Sequence, residues 1–268
     1  MQDRHTNKQR YFKEQGETTN RFVIPFVSDH VRIEAGARVL EIGCGEGGNL
    51  TPFLDRGCEV VGVDISPSRI DNARKFMAET YPDVSSTFIY RDIYDVTTDE
   101  IGQFDLIFLR DVIEHIHNQE RFMAFVKRFL KPEGHIFFGF PPWMMPFGGH
   151  QQICKSKLGA KLPWYHVLPK FMYRGMLKLF GESPKRIEDL LEIKETGIST
   201  YRFLKIARTE NYQVKRKTYY FINPNYQTKF GLKPRKQTAL ITWIPGFRDL
   251  FTTCMYCLIG LGEEDKKS

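Results

Sequence analysis

Residues 39–48, VLEIGCGEGG, constrain this chain more than any other stretch. An apolar strand-like run ends in one acid, Glu41, and breaks into Gly43, Gly45, Gly47 and Gly48. Glycines at a strand end remove side chains where a backbone must turn sharply and approach a ligand. Two registers fit. Gly43, Gly45 and Gly48 make G-x-G-x-x-G, a dinucleotide spacing. Glu41, Gly43, Gly45 and Gly47 make acid-x-G-x-G-x-G. The glycines alone leave both open.

The rest of the chain sets the fold class. Buried-strand patterns occur at ARVLEI, EVVGVD, TFIYRD, FDLIFLR and HIFFGF. Helical patterns separate them. NLTPFLDRG closes on Gly57, Ser66-Pro67 forms a helix start, and residues 118–134 carry a stripe of Phe122, Phe125, Val126, Phe129 and Leu130. Strand–helix alternation predicts a doubly wound α/β fold with a mostly parallel, Rossmann-like sheet. A helix at 202–212, a sixth strand at 213–223 and an antiparallel seventh at 251–260 complete the expectation of seven strands. The whole of 1–268 reads as a single domain with a cofactor core at 37–142. Residues 143–200 and 223–250 are too long for bare connections and read as lid insertions, the second within a C-terminal sheet region of 201–262. Residues 1–16 are polar and expected to be mobile, and a helix with Pro25 sitting awkwardly within it follows them.

Ligands in such sheets bind at the carboxyl ends of the strands. Asp64 ends the second strand, where a carboxylate accepts from ribose hydroxyls. Asp92 ends the third, within reach of an adenine amino group. FDLIFLRDVIEHI ends the fourth in a polar cluster. Together, VLEIGCGEG, VVGVDIS, FIYRD, FDLIFLRDVIEHI and LKPEGHIFF resemble the class I S-adenosylmethionine-dependent methyltransferases, and most of all the small-molecule branch with the quinone-biosynthesis O- and C-methyltransferases. The resemblance covers residues 37–142 and matches no subfamily over the insertions. It implies S-adenosyl-L-methionine as cofactor, S-adenosyl-L-homocysteine as product, and methyl transfer to a small or amphipathic acceptor, with oxygen favoured. Glu41 would hold the cofactor's ammonium group, and the turn of Gly43, Gly45 and Gly47 would lie against it. Asp64 would accept from the ribose, Ile65 would cover adenine, and Asp92 with the Ile93 amide would read its edge. Arg110 or Asp111 would offer a backbone carbonyl.

Methyl transfer needs a base only when the acceptor must lose a proton. His150, His115 and Asp111 are the candidates, with Glu114 and His166 behind them. No metal site is expected. Cys254-x-x-Cys257 lies in a strand-like run, where an offset of three puts the side chains on opposite faces. The five cysteines are odd in number and irregularly spaced, which argues against a disulfide framework and for a reducing cytoplasm. No secretory signal is read at the start of the sequence, and no apolar run is long enough to span a bilayer.

The net charge is +7, and 134–181 and 211–248 contain no acid. Nucleic acid is therefore the rival acceptor, but no Asn/Asp-Pro-Pro-aromatic loop follows the fourth strand, and FPPW after the fifth lacks the leading amide or acid. A non-catalytic cofactor-binding protein is the other alternative. Aromatic and basic residues in the first insertion suit a planar or anionic acceptor. Residues 169–181 predict a basic amphipathic helix, read first as a lid helix, and the basic region 211–248 adds a second electrostatic contact, so that the two together offer at most a weak, salt-sensitive contact with anionic membrane. The oligomeric state and the acceptor's identity stay open.

Overall fold

The computed structural model describes residues 8–263 and 265. Eight strands form one sheet: β1 Arg38–Ile42, β2 Glu59–Asp64, β3 Ser86–Tyr90, β4 Phe104–Arg110, β5 Leu130–Phe140, β6 Tyr212–Ile222, β7 Arg235–Lys236 and β8 Cys254–Leu261. Their order is β3-β2-β1-β4-β5-β8-β6-β7. The first five run parallel, each joined to the next by a helical crossover. β8 enters antiparallel between β5 and β6. The strand beyond the expected seven is β7, two residues paired to the outer edge of β6. So short an element leaves no periodic trace in a sequence.

Strand alternation builds the two cores. Val39, Leu106 and Phe108 enter one; Leu40, Ile107 and Leu109 enter the other. Cys254 and Cys257 divide the same way, and all five thiols are buried and free. The helix expected at 118–134 is shorter. It spans Gln119–Val126 and passes through a 3-10 turn into β5, which starts at Leu130. The β4–β5 register breaks between Phe104 and Leu106, which takes up the Pro132-Glu133-Gly134 turn inside β5.

The amino-terminal segment departs from expectation. Residues 1–7 lie outside the described residues, but α1, Lys8–Thr18, is an ordered helix with Phe12 and Gly16 buried. It continues through a π turn at Thr19–Val23 into Ile24–Val27, and the Ile24 amide donates to the Thr19 carbonyl. Pro25 explains the wide turn: it has no N–H to give, and its ring crowds the carbonyl four residues back. α1 lies directly on the glycine turn. A Cβ at Gly48 would fall 2.2 Å from the Phe12 carbonyl oxygen, and one at Gly16 would fall 2.4 Å from Thr51 Oγ1.

The first insertion has a small core of its own, built from Cys154, Tyr165, Tyr173, Leu177, Leu190 and Leu191. Its longer helices are Lys170–Leu179 and Pro184–Thr196. On the first of these, Tyr173 and Leu177 are buried in that core, while Lys170 pairs with Glu195 and Arg174 with Glu188 on the second. The basic face expected to be solvated or to meet lipid is thus partly neutralised within the insertion. The second insertion carries a helix, Asn225–Phe230, bonded to α1 through Thr228 and Thr18 at 3.2 Å. Its far end is anchored where buried Asp249 accepts from the amide and hydroxyl of Thr200 and Arg248 Nε donates to that hydroxyl at 2.8 Å. No described helix is long and apolar enough to cross a membrane.

Candidate active site

The site lies at the carboxyl ends of β1, β2 and β4, where the strand order reverses. Gly43, Gly45 and Gly47 have φ of 72°, 54° and 81°, the left-handed region that glycine enters without steric cost. Gly48 does not. The backbone therefore follows the acid-x-G-x-G-x-G register. The three glycines serve different ends. A Cβ at Gly45 would meet nothing within 4 Å, so this residue faces open space. One at Gly43 would strike Val112 at 2.6 Å, and one at Gly47 would strike Phe88 at 2.9 Å. Gly47 is thus needed for packing against β3, a different reason from the cofactor approach the resemblance implied.

Asp64 fixes the turn. One carboxylate oxygen accepts from the Gly45 amide and the other from the Ser66 amide, both at 2.8 Å. Each oxygen keeps a lone pair for a ligand hydroxyl. Ile65, next in the chain, is 72% exposed, an apolar side chain left standing at the cleft edge. Asp92 is exposed and caps a 3-10 turn through the Tyr94 amide, and Ile93 is buried behind it.

Glu41 is buried at the end of β1. Its Oε1 accepts from Asn49 Nδ2 at 2.6 Å, and its Oε2 has no hydrogen-bond partner among the described residues. Burial pushes its pKa up to about 8, against the opposing Asn49 bond and Arg110 charge. The Arg110 side chain turns inward and donates to Asn49 Oδ1 at 2.9 Å, and Thr19 donates to the same oxygen. A polar chain Arg110–Asn49–Glu41 thus ends on one unsatisfied carboxylate oxygen. Thr19 and Asn49 carry no motif, and sequence reasoning missed both. It also missed Tyr11, a half-buried α1 residue whose hydroxyl pKa is raised by burial and by the Asp111 charge.

Asp111 follows β4 with a left-handed φ of 56°, its amide held by the Gly139 carbonyl at 2.7 Å. His115 and His150 meet edge-to-face, ring centroids 5.0 Å apart. His150 has φ 55°, and burial followed by the neighbouring His115 lowers its pKa to about 4. It is neutral at physiological pH, and the same burial lowers its basicity. His166 is spent structurally: it is buried between Gln151 Nε2 and the Trp143 carbonyl. Tyr165 and Tyr173 belong to the insertion's own core, and Phe171 is exposed, so these three aromatics line no pocket at the strand ends. Glu114, which the sequence placed only among reserve bases, is buried with both carboxylate oxygens lacking a hydrogen-bond partner among the described residues. Ligand atoms of Glu114, His115 and His150 lie within 4.8 Å of one another, a donor set that could hold a divalent cation where the sequence suggested none.

The strand order, the left-handed glycine turn and the acids at successive strand ends define a Rossmann-like α/β protein built to hold a nucleoside. A family described as "Methyltransferase domain" matches residues 12–147, half of the chain, and the chain belongs to it. The chain is 26% identical over 113 residues to a ubiquinone biosynthesis O-methyltransferase of Acinetobacter baylyi, covering 42% of this chain and 47% of that protein. It is 32% identical over 104 residues to one of Xanthomonas oryzae, covering 38% and 42%. The chain therefore spans less than half the length of these two relatives. A further relative, from Erwinia tasmaniensis, is 23% identical over 198 residues, 71% of this chain and 79% of that one. The fold is shared with magnesium protoporphyrin IX methyltransferase from Synechocystis with bound SAH (TM-score 0.55, 15% identity, 93% of this chain and 84% of that one). It is also shared with geranyl diphosphate C-methyltransferase from Streptomyces coelicolor (TM-score 0.55, 16% identity, 89% and 79%).

Proposed function

We propose that the chain is an S-adenosylmethionine-dependent methyltransferase acting at oxygen on a small amphipathic acceptor with an aromatic or anionic part. The observation that carries the reading is the pairing of Asp64, bonded across the turn to Gly45, with the buried, half-satisfied carboxyl of Glu41. One carboxylate suits a ribose diol and the other an ammonium group. Family membership and the activity in the relatives' names support methyl transfer to oxygen over hydride transfer, and to a small molecule over nucleic acid.

The cofactor supplies an activated methyl group on sulfonium. In this reading Asp64 holds the ribose, Ile65 covers one adenine face, and Asp92 and the Ile93 amide meet its edge. Glu41 takes the ammonium, and Gly45 lets the backbone approach. A backbone carbonyl of Arg110 or Asp111 meets the methionine end. His150, neutral and edge-to-face with His115, accepts the acceptor's hydroxyl proton. Holding acceptor and methyl donor in line contributes about 7–11 kcal/mol of barrier reduction in well-oriented systems. The five buried free thiols support a reducing, cytoplasmic setting. An acceptor screen with purified protein, reading S-adenosylhomocysteine formation across phenols and catechols of graded apolarity, tests the proposal. Product formation on phenolic hydroxyls is expected, and turnover on RNA alone would overturn it.

A further inference from the structure

The second insertion ends in an apolar surface that the fold leaves in water. Leu240, Trp243, Ile244 and Phe247 are 82%, 87%, 53% and 46% exposed. They lie on and between the short helices Ala239–Thr242 and Phe247–Leu250, with Trp243 and Ile244 in the turn that joins them. Scattered exposed apolar residues are ordinary, but a close set with a tryptophan almost wholly in solvent is not. Lys233, Arg235 and Lys236 precede it in the chain, and no ion pair involves them among the described residues. No acid occurs from Asn211 to Arg248. The helix at 170–179, in contrast, buries its central apolar residues and pairs two of its cations internally.

We propose that residues 233–247 dock the protein on an anionic phospholipid bilayer, with Trp243 and Leu240 entering the interface and Lys233, Arg235 and Lys236 meeting the headgroups. Tryptophan prefers the boundary between headgroups and acyl chains, and basic residues beside it supply attraction to anionic lipid. The insertion that carries the segment is held on both sides of it. The helix before it, Asn225–Phe230, is bonded to α1, which covers the glycine turn, and the Thr200–Asp249–Arg248 network follows it. Tyr226, in the same insertion, lies close enough to the active-site Asp111 to feel its charge. Docking through this segment selects acceptors with an apolar tail that partition into the bilayer. That last step rests on the function proposed above; the docking does not.

Sedimentation with phosphatidylcholine vesicles, with and without phosphatidylglycerol, tests the contact, alongside tryptophan emission and calorimetric titration with S-adenosylhomocysteine. The wild type should sediment with the anionic vesicles only, at low salt, with a blue shift of emission. Trp243→Ala should abolish the shift, and either Leu240→Ser with Trp243→Ala or Lys233→Glu with Arg235→Glu should lower partitioning about tenfold or more. S-adenosylhomocysteine binding should be unchanged in every variant, so failure of docking and failure of the methyltransferase reading are separable. Absence of sedimentation at low salt would overturn the proposal, as would sedimentation indifferent to both pairs of substitutions. A concentration-dependent dimer lost in the same variants, without vesicle binding, would assign the surface to a second copy and overturn it equally.

Discussion

Glu41 should make cofactor affinity and folding stability respond to pH in opposite senses, and replacing it with glutamine should remove both responses. The side chain is 1% exposed, and its pKa is raised from the usual 4.5 to about 8, chiefly by burial. The folded state therefore holds a proton that the unfolded chain has released, and stability falls as pH rises through that window. At about 1.4 kcal/mol per unit, the full effect is about 5 kcal/mol. Glu41→Gln keeps the shape and the Asn49 contact but cannot ionise. Its stability advantage over wild type in urea unfolding should be small near pH 5 and grow by about 1.4 kcal/mol per unit up to about pH 8. An ammonium-bearing ligand asks for the opposite, an ionised carboxylate beside it. S-adenosylhomocysteine uptake by the wild type near pH 7 should release close to one proton, and affinity should fall about tenfold per unit on acidification below pH 8. The glutamine variant should bind weakly, with no such slope. Calorimetry in buffers of different ionisation enthalpy reads the proton directly. Wild-type affinity flat across the window, with no proton released, would refute the role given to the unsatisfied oxygen of Glu41.

His150→Ala should lower turnover on a hydroxyl acceptor by about 10²–10⁴-fold with little change in cofactor affinity, read from steady-state kinetics and calorimetry. His150 and His166 both have pKa values lowered to about 4 by burial. Their neutral forms favour the fold, so stability should be lost as pH falls from about 6.5 towards 4, with hydrogen exchange rising first in 143–200. Asp249→Ala leaves Arg248 buried without its carboxylate and should destabilise the protein by about 3–5 kcal/mol in urea unfolding. Limited proteolysis should cut first within 143–200 and 223–250 and be slowed by cofactor with acceptor.

The sheet from β1 to β5 was legible because each strand is a continuous apolar run bounded by turn residues. Glu41, Asp64 and Asp92 were legible as candidates because they fall at strand ends, where ligands bind in this architecture. The Arg110–Asn49–Thr19 chain was not, since it joins residues 61 and 30 positions apart that share no pattern. Nor was α1 on the glycine turn: its polar sequence hides that Gly16 and Gly48 are small so that two backbones can touch. The amphipathic spacing at 170–179 was read correctly, but whether its cations face solvent or acids depended on a neighbouring helix. The exposed apolar residues at 240–247 were passed over, because sequence does not say which apolar side chains a fold will leave uncovered.

The central claim is that the turn at Gly45 and the carboxylate of Asp64 hold S-adenosylmethionine, and titration calorimetry of wild type and Asp64→Ala with S-adenosylhomocysteine and with NADH tests it most directly. The wild type should bind S-adenosylhomocysteine and not NADH. Removing the carboxylate should cost about 1.5–3 kcal/mol, roughly ten- to a hundredfold in affinity. Tight NADH binding with no response to S-adenosylhomocysteine would contradict the account.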